Sequence, residues 1–234
     1  MHRPAKKNAL NSNMYASLIE SLKEAESNPE AHVIFLHGGR DCFTSGSDLQ
    51  EFKQVQEDGT DRSHMGQNFL YTISQARKPI IAAVAGPAVG VGSTMLLHCD
   101  MVFAGASAVF QFPFINLGLC PEAGSTFLLP KLVGHQSAAE LLLLGEPFGA
   151  DRALALGFVN RVLPDDALLG NAMEAARKMA AKPLASLLIT KAFLKKSFVE
   201  NVKERIGEEG RSFTERLASV EARQAIESFL QRRK

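Results

Sequence analysis

The chain has 234 residues, with 26 Lys and Arg against 25 Asp and Glu, 46% hydrophobic and 22% charged residues. That composition belongs to packed globular proteins and excludes global disorder, while a net charge of +1 gives no electrostatic basis for binding nucleic acid or an anionic membrane. Apolar runs such as Phe127 to Leu129 and Leu141 to Leu144 are too short to span a bilayer, and Met1-His2-Arg3-Pro4 carries no apolar signal segment, so a cytoplasmic location is expected.

In chain order, Met14, Leu18, Ile19, Leu22 and Ala25 share one helical face, with Asn11 or Ser12 as cap and Asn28-Pro29 as stop. Val33 to Leu36 is a continuous apolar run, which predicts a strand buried on both faces. A glycine-rich loop, Gly38 to Leu49, follows. Gln50 to Gly66 is polar and reads as a mobile surface segment. A helix around Asn68 to Gln75 leads to Lys78-Pro79. Ile80 to Ala85 predicts a second buried strand, running into a second glycine loop, Gly86 to Gly92, and a short helix, Ser93 to His98. Met101 to Ala104 and Ala108 to Phe112 predict further strands. The order strand, glycine loop, helix, strand occurs twice, which predicts an α/β fold with mainly parallel strands. Beyond Ser137 the helical period dominates, with Val159 to Leu163 as the only strand-like interruption.

From Lys191 onward there are 11 basic and 7 acidic residues, against 15 and 18 before it. This tail reads as a helical segment with a solvated basic face, or as a contributor to binding a phosphorylated ligand or a neighbouring subunit. The expected division is a core over 1–190 and a C-terminal helical segment over 191–234.

Each glycine loop follows a buried strand and opens a helix. Backbone N–H groups at a helix start have no intrahelical partner and favour negative charge. Two such loops side by side can aim two donors at one oxygen, the geometry of an oxyanion hole; plain tight turns are the other reading of the same glycines. Gly90-Val91-Gly92 lacks the third glycine of a dinucleotide fingerprint, and no G-K-[ST] is present. Cys42, Cys99 and Cys120 show no C-x-x-C spacing, and the six histidines form no H-E-x-x-H, so reduced thiols and no metal centre are expected.

Four ordered segments carry a resemblance: Asn8-Ala9-Leu10-Asn11; Phe43-x-Ser45-Gly46-Ser47-Asp48-Leu49; Pro79 to Val84 with Gly86-Pro87-Ala88-Val89-Gly90; and Cys99-Asp100. The chain resembles the enoyl-CoA hydratase/isomerase (crotonase) superfamily from Arg3 onward. The resemblance implies a spiral of ββα units, an acyl-CoA thioester as substrate with no separate cofactor, and a homotrimer or dimer of trimers. By motif position the thioester oxygen would be held by the backbone N–H groups of Ser47 and Val91. Ser45, Gly46, Ser47, Asp48, Leu49, Gly90, Lys7 and Ala9 would line the substrate and CoA site. Members usually open with a β-hairpin, and Met1 stands directly before His2-Arg3-Pro4, so that hairpin is expected to be missing.

The family's hydratases use two glutamates, whose positions here are Thr94 and Phe114. Neither side chain can move a proton near neutral pH. The segment Asn116-Leu117-Gly118-Leu119-Cys120-Pro121-Glu122-Ala123-Gly124 resembles instead the Δ3,Δ2-enoyl-CoA isomerases, with Glu122 at the position of their single catalytic glutamate. Leu117, Leu119, Phe127 and Leu128 lie near it in sequence, and an apolar pocket would raise its pKa. Otherwise Glu122 is a first-turn residue of a helix over Ala123 to Leu129. A hydratase using Glu122 alone and a non-catalytic CoA-binding module are the alternative functions. Asp48 is expected as a helix cap, Asp100 as a structural acceptor and His98 as a satisfied core histidine. Cys99 and Cys120 are expected as small buried groups, with Cys120 lining the pocket, and Lys6 or Lys7 as phosphate contacts.

Overall fold

The computed structural model describes residues 1–58 and 64–231. α1 (Ser12–Ser27) forms as its pattern predicts: the Asn11 side chain accepts from the Met14 N–H at 3.0 Å, and Tyr15, Ile19 and Leu22 form the buried stripe. β1 (Ile34–His37), β2 (Ile80–Val84), β4 (Met101–Gly105) and β7 (Arg161–Leu163) make an all-parallel sheet in the order β1-β2-β4-β7. β2 is buried along its whole length, Ile80, Ala82 and Val84 facing one hydrophobic core and Ile81 and Ala83 another. β1 departs from expectation: it packs on both cores, yet it is only half-buried because it lies at the sheet's edge.

A second sheet joins β3 (Pro87–Val89), β5 (Val109–Gln111) and β6 (Phe148–Gly149), with β3 and β5 parallel and β6 antiparallel. β6 is a second interruption that the helical period concealed. Two residues long, it brings Phe148 against Phe110, Phe112 and Phe158, with ring centroids 5.6, 6.1 and 6.0 Å away. Between the sheets the chain passes from β2 to β3 through Gly86, at φ +56°, where a Cβ would stand 2.1 Å from the Asp41 carbonyl oxygen. α4 (Val91–Thr94) closes this ββα unit.

The polar stretch Gln50 to Gly66, expected to be mobile, holds most of α2 (Leu49–Asp58) and the first turn of α3 (His64–Ser74), the rest of α3 being the helix expected around Asn68 to Gln75, while residues 59–63 lie outside the described residues. Asp48 caps α2 as expected, its Oδ1 accepting from the Gln50 N–H at 3.1 Å. Glu51 ties α2 to α1 by accepting from the Ser12 N–H and hydroxyl at 2.9 and 2.8 Å.

The C-terminal half holds α5 (Ser125–Val133), α6 (His135–Leu144), α7 (Ala150–Ala155), α8 (Asp165–Ala180), α9 (Leu184–Lys195), α10 (Val199–Leu217) and α11 (Val220–Gln231). The expected division after residue 190 falls inside α9. There Lys191 is buried and donates to Asp100 Oδ2 at 2.6 Å and to the Lys78 carbonyl at 2.9 Å. Asp100 also accepts from the Ile80 N–H at 2.7 Å, the structural role expected of it. No helix among the described residues is long and apolar enough to cross a membrane.

Asn8 fastens the first glycine loop. It is buried at φ +53°; its amide donates to the carbonyls of Gly38 and Cys42, both at 2.7 Å, and its Oδ1 accepts from the Arg3 N–H at 2.8 Å. Asn8→Ala strips these buried groups of partners and is expected to cost roughly 2–4 kcal/mol. Thermal unfolding checks this, and an unchanged Tm would contradict it.

Candidate active site

The two glycine loops lie side by side because their flanks pair as short parallel strands. The Thr44 N–H donates to the Pro87 carbonyl at 3.0 Å, and the Val89 N–H donates to that of Thr44 at 3.1 Å. Leu10 pairs with Ser47 on the other side, through Leu10 N–H to Gly46 at 2.8 Å and Asp48 N–H to Leu10 at 2.8 Å. Glycine permits the close approach. At Gly46, φ +92°, a Cβ would sit 2.7 Å from the Val89 carbonyl oxygen, and at Gly92 it would sit 2.5 Å from Thr44 Cγ2. Neither the Ser47 nor the Val91 backbone N–H donates to a described residue, and Val91 opens α4.

Glu122 stands ahead of α5, not in its first turn. Ala123 and Gly124 both take the left-handed conformation at φ +68°, and the helix begins at Ser125. This double reversal turns Glu122 towards the first loop, onto the wall of a cavity it shares with Ser47, Asp48 and Tyr15. His98 holds the turn from behind, its Nε2–H donating to the Ala123 carbonyl at 2.8 Å. Burial pulls the His98 pKa down to about 4, so the ring is neutral, the satisfied core histidine that was expected. Thr94 donates its hydroxyl to Glu122 Oε1 at 3.5 Å. Burial, and then the charge of Glu209, pushes the Glu122 pKa up to about 8 against the small opposing effect of the Thr94 bond.

The apolar surroundings expected of Glu122 come from other elements than its sequence neighbours. Leu10, Phe52 of α2, Leu70 of α3, and Ile206 and Phe213 of α10 line the cavity, and Phe52 and Phe213 meet edge to face at 5.9 Å. Tyr15 is buried and shares a 2.7 Å hydrogen bond with the Ser47 hydroxyl; burial pushes its phenol well above the ordinary range. Three carboxylates reach the cavity wall, and two are engaged. Asp48 pairs with Arg3 at 2.7 Å, and Glu51 is held by Ser12, whereas among the described residues Glu122 makes only the long contact to Thr94.

Of the expected site residues, the cavity wall brings together Glu122, Ser47 and Asp48. Gly46, Gly90 and Val91 are buried in the seam between the loops, and Leu49 begins α2. Ser45 turns towards the N-terminal segment, its N–H donating to the Lys7 carbonyl at 3.0 Å. Lys6 and Lys7 are exposed, and Ala9 accepts from the Arg3 guanidinium at 3.1 Å. Cys120 is half-buried and donates towards the Glu209 carbonyl at 3.7 Å, away from the cavity wall it was expected to line. Burial pushes its thiol up to about 11 and that of Cys99 to about 12, so both thiols stay protonated and inert. Phe114, at the second hydratase position, is buried in the core.

Fold and site together define an α/β protein whose half-buried carboxyl, its pKa pushed up by its surroundings, lines a cavity beside two loops with N–H groups that have no partner among the described residues. The profile of the family described as enoyl-CoA hydratase/isomerase matches residues 1–234, and the chain belongs to that family. The family is enzymatic and acts on enoyl-CoA, and its members share the crotonase fold seen here. Enoyl-CoA delta isomerase 2 of Rattus norvegicus is 34% identical over 99% of this chain, which spans only 60% of that protein's length. The 2,3-dehydroadipyl-CoA hydratase of Escherichia coli is 35% identical over 100% of this chain and 91% of its own. Among solved structures, Pseudomonas aeruginosa OdaA superposes with a TM-score of 0.93 at 41% identity, covering 97% of this chain and 92% of its own.

Proposed function

We propose that the protein moves a double bond from C3 to C2 of an enoyl-CoA, with Glu122 as the one acid/base. The Glu122 carboxylate takes a proton from C2 of a 3-enoyl thioester. The electrons of that C–H bond pass into the thioester carbonyl, and the N–H groups of Ser47 and Val91 hold the enolate oxygen. As the carbonyl re-forms, a new C2=C3 bond replaces C3=C4, and C4 takes the proton back from Glu122. Protons balance, so no cofactor is needed. The CoA portion would run along Lys7, Ala9 and Ser45 at the rim, with Gly46, Asp48, Leu49 and Gly90 shaping the donor loops.

The observation that supports this reading best is the isolation of Glu122. Among the described residues it is the one cavity carboxylate without an ionic or short hydrogen-bonded partner, and the positions where hydration would need carboxylates hold Thr94 and Phe114. A raised pKa also makes it a stronger base once ionised. With a 3-enoyl-CoA, conjugated 2-enoyl thioester absorbance is expected to appear without 3-hydroxyacyl-CoA. Rapid loss of absorbance from a 2-enoyl-CoA would favour the hydratase reading. No change with either substrate, despite measurable CoA binding, would favour a binding module. The free enzyme's kcat/KM is expected to rise with pH up to about 8, as Glu122 loses its proton.

A further inference from the structure

α10 supplies cavity wall through Ile206, Gly210, Phe213 and Thr214, and between them it carries Glu209, which is only 6% exposed. The Glu209 carboxylate grips the turn that follows Glu122. Its Oε2 accepts from the Gly124 N–H at 2.6 Å, and its Oε1 accepts from the Thr126 N–H at 3.0 Å and the Thr126 hydroxyl at 2.6 Å. Arg205 steadies the same hydroxyl, donating to it at 3.3 Å. No other side chain among the described residues makes three such bonds to this turn. The turn needs holding because Ala123 and Gly124 both sit at φ +68°, and Ala123 does so at a steric cost.

We propose that Glu209 is a positioning residue for Glu122, locking the Ala123–Gly124 turn to the cavity-lining helix so that the Glu122 carboxyl stays on the cavity wall. This rests on Glu122 being the acid/base. Glu209 also acts through its charge. Three donors favour its ionised form, opposing the burial that raises its own pKa, and its negative charge is the second cause of the upward shift at Glu122. The other titratable or hydrogen-bonding groups around Glu122 are Thr94 from α4, Tyr15 from α1, the Cys120 thiol, and Glu51 and the Arg3-paired Asp48 on the same cavity wall. Behind them, Glu51 acts on Tyr15, Arg216 on Cys120 and Arg205 on Glu209. None of these other groups opposes Glu122 with a close positive charge. Removing the charge of Glu209 should therefore make Glu122 ionise at lower pH, whereas a clamp without electrostatic effect would leave its titration in place.

The test is a carbon-13 NMR titration of the Glu122 carboxyl, assigned by its loss in Glu122→Gln, in the wild type and in Glu209→Gln. It needs no turnover, so it stands apart from the fate of the isomerase reading, which the substrate assays decide. The wild-type midpoint is expected near 8 and the Glu209→Gln midpoint below it. Where turnover is measured, kcat is expected to fall at least about tenfold in Glu209→Gln with KM changed less than about threefold. Glu209→Asp, which keeps the charge, should restore the midpoint, and Thr126→Val, which removes one donor, should keep it while lowering kcat. A wild-type midpoint in the ordinary carboxylate range would overturn the proposal even if Glu209→Gln failed to fold. So would an unshifted midpoint in a folded Glu209→Gln.

Discussion

Glu122→Gln is expected to lower kcat on a 3-enoyl-CoA by roughly 10²- to 10⁴-fold, the range for removing a positioned general base, while acyl-CoA binding changes only severalfold. Glutamine keeps the size of the side chain and an oxygen for the Thr94 hydroxyl, so the cavity is preserved and only proton transfer is lost. The same substitution has a second, opposite consequence for stability. In the folded protein burial and the charge of Glu209 push the Glu122 pKa up to about 8 from the ordinary 4.5. A folded-state pKa raised in this way means that the native state holds the proton more tightly. Its contribution to stability is complete below about 4.5 and is lost as pH rises through about 8. Glutamine does not titrate. The Tm of Glu122→Gln should therefore gain on the wild type between about pH 5 and about pH 8 and hold that gain above it. Near-wild-type turnover would remove Glu122 from the mechanism, and a Tm difference flat with pH would show that its carboxyl titrates normally.

Gly46→Ala should strike the proposed oxyanion site directly. The new methyl group meets two obstacles: a backbone at φ +92°, and the Val89 carbonyl oxygen 2.7 Å away. Neither a rotamer change nor a flexible neighbour relieves a clash with backbone, so the loops must part. Ser47 follows Gly46, and Val91 lies two residues beyond Val89, so the parting acts directly on the two N–H groups proposed to hold the enolate. Loss of one such donor is worth about 10²- to 10³-fold in kcat, and that fall is expected here with a smaller rise in the dissociation constant for acyl-CoA. Gly149→Ala is the control. Its φ is −85° and nothing lies within 4 Å of the added carbon, so activity should hold. If Gly46→Ala turned over normally, the loops would be plain turns.

Much of this architecture was legible before any coordinates. The helix α1 announced itself by cap and stripe, the buried strand β2 by its unbroken apolar run, and the glycine loops by their place after strands. The family resemblance added the pairing of Ser47 with Val91 and singled out Glu122. What escaped was whatever depended on contacts distant in sequence. α2 looked like a polar loop because its apolar residues, Leu49, Phe52 and Val55, are few, and Phe52 counts only when Phe213 of α10 is set against it. The wall around Glu122 could not be read from Leu117, Leu119, Phe127 or Leu128, because Leu10, Phe52, Leu70, Ile206 and Phe213, distant in sequence, build it. Glu209 did leave a signal. It stands on the buried stripe of α10 with Val202 and Ile206, and a carboxylate on such a stripe must have donors waiting for it.

The left-handed alanine beside the proposed base has a consequence for anyone who sets out to make this protein hardier. Replacing a non-glycine residue at positive φ by glycine removes about 1–2 kcal/mol of steric strain, so Ala123 stands out as a target for thermal toughening. Glycine would also free the hinge that α10 and His98 work together to immobilise, letting the neighbouring carboxyl wander from the reacting carbons. Heat tolerance and speed thus pull in opposite directions at one methyl group, and a lineage or laboratory screen that selects only for survival on heating would drift towards the slower enzyme.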